Sequence, residues 1–159
     1  MNRRRLILAV AVLSFGIPSL LLAETNAVIG SWKLNLEKSK FPAGMAYKSL
    51  TRTVSADGDK ITYSFEGEGT DGAVKYGFTA KYDGKDYGVT GNGMAYGADH
   101  IAIKRVSAHK YMATLKKDGK VVATSTAIVS ADGKTTTLES KSTDAKGNGS
   151  DSTSVYDKQ

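Results

Sequence analysis

The sequence predicts an all-β protein: an antiparallel up-and-down β-barrel of eight to ten strands. Three observations carry this. Polar and apolar residues alternate with a period of two along most of the chain after the first two dozen residues. Asp-Gly pairs recur between the alternating runs, at Asp57-Gly58, Asp71-Gly72, Asp83-Gly84, Asp118-Gly119 and Asp132-Gly133, and such pairs tolerate the positive φ of tight hairpin turns. No window carries the 3.6-residue period of an amphipathic helix.

The chain opens on a different kind of segment. Arg3, Arg4 and Arg5 precede an apolar run from Leu6 to Ala23, and the sequence turns polar at Glu24. A basic start, an apolar middle and a small-residue end make a secretory signal peptide, here residues 1–23, with cleavage after Ala23 or Ala27. A retained anchor is the alternative, but Gly16, Pro18 and Ser19 interrupt the run. The expectation is a bacterial protein, periplasmic or secreted, with residues 24–159 forming one barrel domain. The chain has no cysteine, which excludes a lipid-modified N-terminal Cys, disulfides and any Cys-based metal site.

Strands are expected near 28–35, 47–55, 60–68, 74–82, 86–90, 100–106, 111–117, 120–130, 135–143 and 151–158. Alternation is clearest where Ile61, Tyr63 and Phe65 share one face, and where Val74, Tyr76, Phe78, Ala80 and Tyr82 share another. Residues 36–46 and 91–99 read as the two long loops. Because nearly every other link is short, neighbours in sequence pair with each other, and sequential pairing closes into a barrel without exposed edges. An outer-membrane barrel needs an outward apolar band, whereas Lys75, Lys81, Lys104 and Lys116 fall on faces read as outward.

Composition sharpens this. The 136 residues after Ala23 hold only 22 Ile, Leu, Val and Phe, about 16%, beside eight Tyr and one Trp. The interior is therefore thinly filled, partly polar or hollow. The formal charge of +6 includes the three arginines of the signal, and the remaining lysines are dispersed, so no nucleic-acid partner is expected.

The first strand adds a resemblance. Gly30-Ser31-Trp32 resembles the G-x-W motif that opens the barrel of calycins, the lipocalins and fatty-acid-binding proteins. Gly30 through Asn35, then Lys38-Ser39-Lys40-Phe41 and Lys81-Tyr82-Asp83-Gly84-Lys85-Asp86-Tyr87, resemble small exported bacterial lipocalin-like proteins. The resemblance implies a lipocalin-like barrel in which Gly30 lets the chain pass close to its neighbours and Trp32 plugs one end. It implies no particular activity. The chain shows neither a lipocalin's C-terminal helix nor the helical lid of fatty-acid-binding proteins, so their ligand residues do not carry over.

Residues that can hold a ligand are few. Arg52 shares a face with Leu50 and Val54, and Arg105 with Ile101 and Ile103. A planar guanidinium facing an interior suits a carboxylate; an arginine stacked on an aromatic such as Trp32 suits barrel closure. Tyr63, Phe65, Tyr76 and Phe78 are candidates to line a cavity, and Met94 and Tyr96, in the Gly-rich loop, to cover its mouth. His100 and His109 are the only histidines and have no ligand set around them, so no metal, cofactor or catalytic residue is assigned. The resulting expectation is a soluble barrel that encloses a small apolar or amphipathic molecule. The alternative is a filled barrel that acts on another envelope protein through its surface; an enzyme ranks last. A cavity of at least about 300 Å³, the lower end for ordinary ligand sites, separates the first two.

Overall fold

The computed structural model describes residues 26–42, 45, 47–143 and 148–159, so the predicted signal segment lies outside the described residues. The strands are β1 (Gly30–Lys40), β2 (Tyr47–Asp57), β3 (Lys60–Gly69), β4 (Gly72–Ala80), β5 (Asp83–Gly88), β6 (Thr90–Asn92), β7 (His100–Arg105), β8 (Lys110–Lys117), β9 (Lys120–Val129), β10 (Thr135–Thr143) and β11 (Gly149–Lys158). A single 3-10 turn, Ala95–Gly97, precedes β7.

All eleven belong to one antiparallel sheet, in the order β5-β7-β8-β9-β10-β11-β1-β2-β3-β4-β6. Its two edge strands, β5 and β6, are consecutive in the chain. They are halves of one run that bends at Val89, the first pairing with β7 and the second with β4. The ring is completed elsewhere by β11 against β1, with Trp32 opposite Lys158 and Leu34 opposite Tyr156. Ten passes of chain thus form the up-and-down, lipocalin-like barrel that the hairpin spacing and Gly30-Ser31-Trp32 imply.

The period of two decides which side chains face inward. In β3 and β4, Ile61, Tyr63, Val74, Tyr76, Phe78 and Ala80 are buried, while Glu66, Lys75 and Thr79 are in water. Stacked cross-strand pairs hold these two strands in register: Tyr63 lies over Phe78, with centroids 4.9 Å apart, and Phe65 over Tyr76 at 4.4 Å. Outward positions carry the ion pairs Lys48–Glu68, Lys75–Glu66, Lys81–Asp59 and Lys116–Asp86, where a bilayer-spanning barrel needs an apolar band. Among the described residues, no helix is long and apolar enough to cross a membrane.

Three details depart from the sequence reading. The segment 36–40 is not loop: β1 bulges after Asn35, resumes at Lys40 opposite Thr153, and is pinned by Ser39, whose Oγ accepts the Val155 N–H at 2.9 Å. Gly91 and Asn92, read as the start of a loop, belong with Thr90 to β6, and the expected strand 86–90 is divided at Val89. Asp83-Gly84, read as a turn, begins β5, and the reversal out of β4 takes place at Lys81-Tyr82 instead. Asp118-Gly119 does form the expected turn, both residues at positive φ (50° and 75°) between the paired Lys117 and Lys120.

The ends differ. Gly30, Trp32, the β2–β3 turn and the start of β8 lie at one end; the segment after Lys40, the 3-10 turn and the β8–β9 turn lie at the other. Trp32 is fully buried and its Nε1 donates to the Val28 carbonyl at 2.8 Å, so the chain entering β1 folds under the first end. At the other end, Gly91 is what allows β6 to approach β4. Its φ is 95°, and a Cβ there would lie 2.1 Å from the Lys75 carbonyl oxygen.

Gly91→Ala should therefore break the β4–β6 closure and destabilise the barrel by about 2 kcal/mol or more. Gly88→Ala, where a Cβ would meet nothing within 4 Å, should change stability little. Urea unfolding of both variants checks this; equal effects would contradict it.

Candidate functional site

The floor of the interior is built around Arg52. It sits on β2 between Leu50 and Val54, on the buried face, and its side chain is almost fully enclosed (4% exposed). Its guanidinium lies over two rings, 5.0 Å from the Trp32 centroid and 4.6 Å from that of Tyr156, and its Nη2 donates to Thr136 Oγ1 at 3.1 Å. Its Nε has no hydrogen-bond partner, and among the described residues no carboxylate pairs with it. Burial pulls its proton affinity below the usual arginine value, opposed by the neighbouring phenols, Tyr156 first. Lys158 covers Trp32 from another side, its Nζ 5.1 Å from the ring.

A hydroxyl network closes the rest of this end. Tyr63 and Tyr82 hydroxyls are 3.1 Å apart, Asn26 donates to the Tyr82 hydroxyl at 3.2 Å, and Tyr111 donates to Asn26 Oδ1 at 2.8 Å. Tyrosine suits this position because its ring fills the core while its hydroxyl is satisfied at the rim.

Above the floor, the interior has two unlike walls. Tyr63, Phe65, Tyr76 and Phe78 form the first, from β3 and β4. The second comes from β9, β10 and β11, about half a turn away around the ring. There Ser125, Ser140 and Ser152 face one another across three strands, and Thr136 and Ser154 lie on the same inner side. All five are buried. Ser125 and Ser140 hydroxyls meet at 2.8 Å, while Ser154 makes no side-chain hydrogen bond among the described residues. Alternation hides them well: Glu139, Lys141 and Asp151 take the outward positions, leaving the small hydroxyls inside.

The mouth is spanned by the loop before β7. Tyr96 adopts a left-handed backbone (φ 59°), rare for a bulky residue, and its hydroxyl reaches Ser152 Oγ on the far wall at 3.0 Å. Met94, like Tyr96, packs against the core, and Phe41 stacks edge-on against Tyr47 at 5.7 Å. Tyr47 donates to the Gly93 carbonyl at 3.4 Å.

Between floor, walls and mouth lies a cavity of about 120 Å³, well short of the 300 Å³ that an ordinary ligand site occupies. The structure brings Arg52, Tyr63, Phe65, Tyr76 and Phe78 together around it, with Met94 and Tyr96 at its mouth. Arg105 lies apart: it is half-buried at the end of β7 and donates from Nε to the Ser107 carbonyl at 3.2 Å. Gly30 and Trp32 belong to the closed end. The serines, Thr136, Tyr156 and Asn26 escaped sequence reasoning. The available signal was the run of charges at alternate positions of β10 and β11. His100 Nδ1 bonds Asp99 at 2.9 Å, and among the described residues no group of three or more His, Asp or Glu is placed to hold a metal.

No protein-family profile matches the chain, and no curated protein matches it. Among solved structures it is similar to lobster apocrustacyanin A1, with 14% identity and a TM-score of 0.46, over 85% of this chain and 62% of that one. It is also similar to the siderocalin Ex-FABP, which functions through dual ligand specificities, with 15% identity and a TM-score of 0.40, over 84% and 71%. The chain thus spans less than two thirds of the crustacyanin's length.

Burial holds the phenols of Tyr63, Tyr76 and Tyr156 above their ordinary value of 10.0. An unfolded chain ionises these groups first, so their contribution to stability is intact below about pH 10 and declines as pH rises beyond it. The urea midpoint should fall between about pH 9 and pH 11, and absorbance should show these three phenols titrating only as the fold is lost. All eight phenols titrating together near pH 10 in the folded protein would contradict the buried arrangement.

Proposed function

We propose that this protein is an exported β-barrel that takes a small amphipathic ligand with an acidic group into its interior by non-covalent enclosure. The observation that carries this is Arg52: a buried cation beside a cavity, with one side-chain hydrogen bond and no carboxylate partner among the described residues. Enclosure supplies the driving force for the apolar part of a ligand, and an anion meeting Arg52 completes a charge that the protein leaves unmatched. The polar groups around the cavity are alcohols, phenols and one guanidinium. Such groups hold a molecule in place, so we read the protein as a binder rather than an enzyme. The lysines of the outer face that pair with acids, such as Lys75 with Glu66, favour no nucleic-acid partner.

Export rests on Arg3–Arg5 and the apolar run to Ala23. The structure bears on the cleavage point, because the Asn26 side chain bridges Tyr82 and Tyr111 and its carbonyl accepts the Ile29 N–H at 3.0 Å. Removal after Ala23 keeps this brace; removal after Ala27 discards it. We therefore place the mature start at Glu24, in the periplasm or outside the cell.

The small cavity favours a second reading, a filled barrel that works through its surface. Native mass spectrometry of the protein purified after export separates the two. The binder should carry a small molecule; repeated absence of one, with a co-purifying protein instead, would favour the second. The same spectrum should give a mass starting at Glu24, and a start at Val28 would overturn the cleavage assignment. Arg52→Met should weaken binding of an acidic ligand at least ~10-fold, while unchanged affinity would remove Arg52 from the site.

A further inference from the structure

Three features of the interior bear on what kind of molecule fits. The first is volume. An apolar core cavity of about 150 Å³ holds benzene; one of about 120 Å³ is at the small end for a single ring, so a substituted ring enters only as the side chains at the mouth give way, and a long acyl chain is excluded. The second is the anion-accepting end. Tyr156, over which the Arg52 guanidinium lies, is two residues from Ser154 on the same strand and inner face, and Ser154 directly faces Leu138 across β10. Ser154 is a buried residue whose hydroxyl makes no side-chain hydrogen bond among the described residues, so a free alcohol and an under-bonded guanidinium border the same space. The third is the polar row further along. Ser125 and Ser140 satisfy each other at 2.8 Å, which uses one of their two protons and leaves the other for an acceptor. Facing this row is the aromatic wall of Phe65, Tyr76 and Phe78.

We infer that the ligand is a single-ring aromatic carboxylate bearing a hydroxyl or carbonyl on the side of the ring away from the acid. This rests on the interior-binding reading and narrows it. The carboxylate meets Arg52 and Ser154, the ring lies against the aromatic wall, and the far oxygen meets Ser125 and Ser140. Ser152, tied to Tyr96 across the mouth, covers the molecule once it is inside. Each polar group of such a ligand replaces water by a protein donor, and a neutral analogue leaves Arg52 unmatched. Selection for the acid therefore comes from the cost of a buried charge without a partner.

Calorimetric titration of the full exported protein tests this with four probes: 4-hydroxybenzoate, benzoate, 4-hydroxybenzyl alcohol and palmitate. The fluorescence of Trp32, the chain's single tryptophan, reports occupancy beside Arg52. The expected result is saturable binding of 4-hydroxybenzoate with a change in Trp32 emission. Benzoate should bind a few-fold more weakly and the neutral alcohol ~10-fold more weakly, with no binding of palmitate. Because Arg52→Met disturbs the floor, Ser154→Val and Ser140→Val serve as gentler variants, each expected to weaken the hydroxybenzoate ~3-fold to 10-fold. Equal binding of acid and alcohol, or serine variants indistinguishable from the parent, would overturn the ligand class. Palmitate binding without the ring compounds would also overturn it while leaving interior binding intact. Binding of none of the four would remove both.

Discussion

A full positive charge sits at the closed end of this barrel, pressed between an indole and a phenol, and the rest of the interior is arranged around it. Bringing a guanidinium out of water costs several kcal/mol even after the surroundings relax. Contacts with the faces of Trp32 and Tyr156 return part of that, about 1–2 kcal/mol each when desolvated, and the bond to Thr136 returns a little more. The contacts join four neighbouring strands: β2 supplies the arginine, β1 and β11 the rings, and β10 the hydroxyl. The place where the last strand meets the first is therefore fastened by one side chain as well as by its backbone ladder. Replacing the cation with an aliphatic group of similar length would keep some of that packing, but it would leave Thr136 facing an apolar neighbour and loosen the two rings.

The shortage of aliphatic residues is answered by phenols and small alcohols rather than by a large void. Tyr63, Tyr82 and Tyr111 fill the space near the floor and spend their hydroxyls on one another and on Asn26. Across from them, the wall of β9 to β11 uses serine where most barrels would place valine or leucine. Serine there contributes little apolar burial, and its hydroxyl needs a partner. Pairs such as Ser125 with Ser140 and Ser152 with Tyr96 meet that need inside the barrel. A wall of this kind is poor apolar filler.

Much of this was legible in the sequence, for reasons that particular residues make plain. Strands β3 and β4 were readable because their aromatic residues all fall on one face and their charged residues all on the other, and β2 because Leu50, Arg52 and Val54 share one face. The bulge in β1 was not, since it depends on Ser39 finding the Val155 amide more than a hundred residues away. Nor was β6, where Gly91 and Asn92 look like loop and Gly91 lets the backbone touch β4. The serine wall was overlooked because serine has no preference for either side; only the charges flanking it settle which way it points. Arg52 and Arg105 carried the same pattern in one dimension. Their different fates follow from position along the strand, mid-strand for Arg52 and at the very end for Arg105.

The bend at Val89 has a mechanical consequence. Along the seam between β4 and the β5–β6 run, the described residues form ladder pairs only where Lys75–Gly77 meets Thr90–Asn92 of β6, near the mouth, and none lower down. A cylinder with an unbroken ladder resists any change of girth, because every pair must stretch at once. One whose ladder is fastened along a single short length depends on side chains lower down: at the floor the seam is bridged by the hydrogen-bonded series Tyr63, Tyr82, Asn26 and Tyr111, which must part before the girth can grow. The compliance of this barrel is thus concentrated along one vertical line, opposite the hydroxyl wall and beside the aromatic one, and the stiff remainder keeps Arg52 and its rings in register.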